Sequence, residues 1–151
     1  MKPFYVLVTT TFIAIILLYF IDKTIHLSLA ARIGICVMFL FTAMGHFMFT
    51  EGMALMIPKI IPYKKEIVYI TGIIEIMGAI ALLFPKLTRP TAWLLIVFLI
   101  ILLPGNIYGA IHQVDYQNAT YQGKGLSYLF LRIPLQVVYI LWLYFSSIKP
   151  L

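Results

Sequence analysis

The sequence predicts an all-α membrane protein: a four-helix transmembrane bundle with one additional N-terminal transmembrane helix. Three observations carry that expectation. The 151 residues are 63% hydrophobic and 11% charged, with a mean hydropathy of +1.03, more apolar surface than a water-soluble domain of this size can hide. The apolar residues fall in five long runs. None of the runs shows the ten-residue alternation of a membrane barrel strand. Inside a bilayer the backbone must satisfy its own hydrogen bonds, which leaves helices.

A span takes roughly 20 apolar residues, so the chain reads as a single membrane domain over 1–151 with short connections. The first run, "FYVLVTTTFIAIILLYFI" at 4–21, ends at Asp22 and Lys23. A cleaved signal peptide is the rival reading, with "SLAAR" at 28–32 as the processing site. The run is long for that purpose, and cleavage there would cut into the next helix, so a retained helix is expected. The second helix covers about 27–49 and the third about 66–84. The fourth covers about 90–112 and the fifth about 126–147.

The connections differ in kind. "TEGMALMIPKIIPYKK" (50–65) combines an apolar run with two prolines and terminal lysines, and is expected to lie in the membrane interface. "QVDYQNATYQGKG" (113–125) is the one polar loop; its "NAT" matches a glycosylation sequon, a weak signal by itself. Asp22–Lys23 and "PKLTRP" (85–90) read as tight turns. Lys2, Lys59, Lys64, Lys65 and Lys124 would lie on one side, and Lys23, Arg32, Lys86, Arg89 and Lys149 on the other. That even split leaves orientation open.

The net charge of +6 is scattered over helix ends, where basic residues meet lipid headgroups. Membrane lipids are therefore the expected surroundings. No basic cluster with interleaved aromatics marks a nucleic-acid surface. The single cysteine, Cys36, offers no dithiol chemistry. His46 and His112 near one face could be imagined as a bis-histidine haem, but no spacing motif supports it, and no metal site is expected. No internal repeat points to an inverted-repeat transporter.

The informative residues are the polar ones inside the apolar runs. Alternating helix directions put the 50–65 and 113–125 loops on one side. Counted from that side, Glu75 lies roughly 14 Å deep at 1.5 Å per residue. His46, Asn106, Arg132 and Gln136 fall in the same half or at its middle. A charge at the centre of a span costs roughly 2.5–3.5 kcal/mol, so it should face the bundle and find a partner. Arg132 and Gln136 are i and i+4, one face of one helix. Thr42 lies one turn before His46. Pro104 and Pro134 should kink their helices and free carbonyls. The expectation is a one-sided polar pocket of His46, Glu75, Asn106, Arg132 and Gln136, with Glu75 met by Arg132 and the pocket open toward the two loops. A purely structural hydrogen-bonded lock is the competing reading.

Several segments are similar to the DoxX-like family of small integral membrane proteins. They are "GHF" (45–47), "IPKIIP" (57–62), "VYITGIIEIMGAIALLFP" (68–85), "PGNIYGAI" (104–111) and "LRIPLQVVYILW" (131–142). The resemblance covers about 30–147 and matches His46, Glu75, Asn106, Arg132 and Gln136 to the family's polar positions. It implies a four-helix bundle in the bacterial cytoplasmic membrane, linked by the family's name to a terminal-oxidase or thiosulfate:quinone oxidoreductase subunit. The helix at 4–21 departs from that pattern. The function so implied is an accessory or quinone-interacting subunit of a membrane redox system, with a membrane or peripheral oxidoreductase as partner and no intrinsic cofactor. A quinone headgroup in lipid needs hydrogen-bond donors, and Arg, Asn and Gln supply them. The alternative is a non-catalytic protein that binds a small lipophile or stabilises a partner; a stand-alone enzyme is not expected.

Overall fold

The computed structural model describes residues 2–149, and among them every regular element is a helix, apart from one isolated bridge between Asp115 and Thr120. Five long helices and one short one follow in order: α1 (Lys2–Asp22), α2 (Leu27–Met48), α3 (Thr50–Leu55), α4 (Lys64–Leu82), α5 (Thr88–Ile111) and α6 (Ser127–Leu143). A π-helical turn, Tyr144–Ile148, continues α6. Pro90 falls in the first turn of α5, where backbone N–H groups have no helical partner to lose.

Four helices are long and apolar enough to cross a membrane: α1, α2, α5, and α6 with its π-helical turn. The third expected span, α4, is not among them. Its 19 residues carry Lys64, Lys65 and Glu66 at one end and Glu75 within.

α2 is the hub, packed most extensively on α1 and α4 and reaching α6 and the π-helical turn as well. α1 lies at the edge and buries one narrow stripe, Leu7, Thr11 and Ala14, at helical spacing. The Thr11 hydroxyl donates to the Leu7 carbonyl at 2.7 Å, so this buried polar group is satisfied within its own helix. The central core is formed by Ile35, Met38 and Phe39 of α2 with Leu82, Leu99 and Leu143.

The two ends of the bundle are closed differently. At the end bearing the 83–87 turn, side chains stitch helices through backbone and hydroxyl oxygens. Arg32 Nη1 donates to Thr88 Oγ1 at 3.3 Å, Arg89 Nε to the Ile148 carbonyl at 3.2 Å, and Trp142 Nε1 to the Ala31 carbonyl at 3.0 Å. The opposite end is covered by α3 and the 113–125 loop. Any side chain at Gly52 would collide there, its Cβ falling 1.9 Å from the Tyr116 carbonyl oxygen. Phe49 and Tyr116 meet edge to face, ring centroids 5.9 Å apart.

Candidate functional site

α2 carries Thr42 and His46 one turn apart, and α4 carries Thr71 and Glu75 one turn apart, a spacing that puts each pair on one helical face. Gly72 lets those faces meet. A Cβ there would lie 2.9 Å from His46 Cβ, closer than two such atoms approach. Glu75 is buried at 4% exposure. Its Oε1 stands 3.6 Å from His46 Nε2, an ion-pair distance beyond a direct hydrogen bond. Its Oε2 accepts from the Thr42 hydroxyl at 2.9 Å. On the other side of the imidazole, Nδ1 lies 3.0 Å from both the Val68 carbonyl and Thr71 Oγ1.

The Val68 carbonyl can only accept, so the tautomer with a proton on Nδ1 satisfies that contact, and the Thr71 hydroxyl donates to the same carbonyl at 2.8 Å. Nε2 then faces the carboxylate, so an acid and a base stand opposite one another.

Glu75 therefore has a partner other than the one expected from sequence. Among the described residues no ion pair joins Glu75 to Arg132. The reason is lateral placement. α4 packs on α2, while α6 packs on α5, and α4 and α6 share no extensive contact.

The other three expected residues lie on α5 and α6. Gln136 is buried, and its amide donates across the seam to the Leu99 carbonyl. Asn106 is 8% exposed and stands seven residues beyond Leu99 on the buried stripe of α5. Arg132 lies one turn before Gln136, and Tyr139 completes the same face at i+7. Arg132 Nε and Tyr139 Oη are both buried, and neither has a hydrogen-bond partner among the described residues. Sequence reasoning singled out neither Tyr139 nor Thr71. Their signals were spacing, i+7 from Arg132 and i−4 from Glu75.

The remaining histidine, His112, is exposed at the end of α5 with Nδ1 2.9 Å from the Tyr108 carbonyl. Neither ring nitrogen of His46 points to it as a haem-sharing partner: one is held by Val68 and Thr71, the other faces Glu75. Cys36 is buried and donates its S–H to the Ala79 carbonyl at 3.0 Å, a small core residue closing the α2–α4 seam.

Two cavities open at the end covered by α3. One of about 270 Å³ lies among Phe47, Phe49, Tyr69, Tyr116 and Glu51. The other, of about 150 Å³, lies on the far side of α3 among lysines and tyrosines. Neither is lined by any of the five residues singled out from sequence.

A family model described as a domain of unknown function (DUF8561) matches residues 35–147, and the chain belongs to that family. No curated protein and no solved structure matches the chain. The resemblance to the DoxX-like family is thereby overturned: a different family accounts for the same stretch, and no DoxX match accompanies it. The segments that suggested it are short and mix small, kinking and polar residues. Gly72 and Pro104 show why such a mixture recurs, since close-packed helices need small contact residues and polar side chains need neighbours to meet.

Proposed function

We propose that this member of a family without an assigned function is a multi-pass membrane protein whose α5–α6 seam binds a small lipophile carrying hydrogen-bond acceptors. A quinone carbonyl is the model for that acceptor. The four long apolar helices support a membrane location. α4 serves as a fifth span: 19 residues reach roughly 28 Å at 1.5 Å per residue, close to the hydrocarbon thickness. Its internal carboxylate is already met by His46 and Thr42.

The observation that carries the binding role is the pair of buried, unpartnered groups on one face of α6, Arg132 Nε and Tyr139 Oη. Arginine cannot shed its proton to become neutral. A buried donor without an acceptor costs about 1–3 kcal/mol, more than a native fold leaves unspent without cause. A carbonyl compound entering from lipid supplies the acceptor that the chain lacks. The narrower form of this reading is an accessory subunit of a membrane redox system that holds quinone for an oxidoreductase partner. The chain's own residues act here by binding and orienting, and no reaction step is assigned to them.

The test is thermal unfolding of the purified protein titrated with a short-chain quinone, for wild type, Arg132→Met and Tyr139→Phe. A saturable rise in the wild-type midpoint, lost in both variants, is expected. No rise, or a rise of the same size in both variants, overturns the proposal.

A further inference from the structure

The 150 Å³ cavity beside α3 draws its polar lining from four separate parts of the chain. Lys59 comes from the connection after α3, Lys64 opens α4, Tyr108 and His112 end α5, and Tyr121 comes from the 113–125 loop. Leu55 and Ile57 supply the apolar part of the wall. Every charged side chain in that lining is basic, and no carboxylate belongs to it. Glu51 is engaged with Lys65 and lines the other cavity, and Glu66, two residues after Lys64, is exposed and belongs to neither lining.

The donors are placed rather than loose. Lys64 Nζ donates to the Ile57 carbonyl at 2.9 Å, which fixes the ammonium at the cavity wall and leaves its other N–H groups free. Tyr108 and His112 lie against one another with ring centroids 4.0 Å apart. The carbonyls that end α5 are occupied by chain N–H groups, Tyr108 by His112 and Ala110 by Gln113, both at 3.1 Å. The negative end of that helix is thus partly covered. At the positive end of α4 Tyr63 forms no side-chain cap, and Glu66 in the first turn is its acidic neighbour.

We propose that this cavity binds a phosphate group, carried either by an anionic phospholipid headgroup or by a soluble phosphate. Two ammonium groups and two phenol hydroxyls suit an oxyanion with three or four oxygens better than a carboxylate with two. Lysine binds phosphate as a point charge that needs no fixed fork geometry. In a membrane the end of the bundle that carries α3 lies at headgroup level, where basic pockets between helices meet anionic lipid. The site is separate from the α5–α6 seam and does not depend on that reading.

The experiment is a thermal titration of detergent-purified protein with dihexanoyl phosphatidic acid, with inorganic phosphate, and with sodium chloride at matched ionic strength. Wild type, Lys59→Gln and Lys59→Gln/Lys64→Gln are compared. A saturable rise with phosphatidic acid or phosphate, absent with chloride, is expected, and Lys59→Gln should need roughly tenfold more ligand, as loss of one charge-assisted contact implies. A rise with phosphatidic acid alone assigns the site to a headgroup, and a rise with inorganic phosphate also assigns it to soluble phosphate. Lys64 has a structural hydrogen bond, so a loss of stability in the double variant is expected on that account; Lys59 is exposed and carries the test alone. No rise with either phosphate, or a Lys59→Gln curve matching wild type, overturns the proposal.

Discussion

The two buried polar regions of this bundle were drawn from similar residues and ended in opposite states. At the α2–α4 seam, Glu75, His46, Thr42 and Thr71 answer one another and the Val68 carbonyl. On α6, Gln136 finds the Leu99 carbonyl, but Arg132 Nε and Tyr139 Oη find no partner among the described residues. The first region contains an acid and a base that face one another. The second has donors in excess and no acid. A centre that closes on itself holds helices together, while a centre that stays open awaits something from outside. Polarity within a membrane helix thus points to function when the partners are missing, and to architecture when they are present.

The largest expected effect breaks the closed centre. Glu75→Leu removes the acceptor of Thr42 and the ionic partner of His46, and should lower stability by about 2 kcal/mol. Thr42 keeps the Phe39 carbonyl at 3.0 Å, which limits the loss. The double variant His46→Leu/Glu75→Leu should recover most of it, because an apolar pair leaves no orphan. Reversible unfolding in mixed micelles measures both. A double variant weaker than either single one would show that the pair has a role beyond mutual satisfaction.

The open centre should respond with the other sign. Arg132→Met removes a charge whose Nε has no partner, and should raise unliganded stability by about 1 kcal/mol. Tyr139→Phe should raise it by about 0.5 kcal/mol, the scale of interhelical polar contacts in membranes. Both gains should vanish against wild type once quinone saturates the wild-type protein. If Arg132→Met instead falls as far as Glu75→Leu, the two regions are alike and the comparison fails.

Much of the fold could be read from the chain because apolar runs of this length admit only helices. The six residues of α3 could not, since "TEGMAL" is too short to show a period. The site was legible in one coordinate. Counting residues gave the depth of Glu75, His46 and Arg132 along the bundle, but a single sequence carries no record of which helices are neighbours. Gly72, one turn from Glu75, marked where a helix comes close. It could not say that the helix was α2 rather than α6. Arg132 was chosen by charge, and geometry chose His46. Tyr139 escaped notice because a tyrosine in an apolar run resembles packing until its hydroxyl proves to be unpartnered.

The smallest effect tests whether burial, rather than pairing alone, separates the regions. Asp115 lies in the 113–125 loop, its carboxylate hydrogen bonds open to water, and is as well partnered as Glu75. Its Oδ2 accepts from the Asn118 side chain at 2.7 Å, and its Oδ1 from the Gln117 and Asn118 amides at 3.0 and 3.3 Å. The Asn118 side chain, followed by those amides, holds the Asp115 carboxyl below the ordinary carboxylate range. A carboxylate so lowered supports the turn at pH above its unfolded value, and that support is lost as pH falls through the folded value. Amide exchange at Gln117 and Asn118 should therefore quicken on acidification below the ordinary carboxylate range, while global stability stays unchanged. Asn118→Ala should shift that onset toward higher pH. Water replaces lost partners at an exposed site, so the consequence stays within the turn. If Asn118→Ala lowered global stability as Glu75→Leu does, pairing alone would set the effect, and the distinction between a closed buried centre and an exposed one would lose its basis.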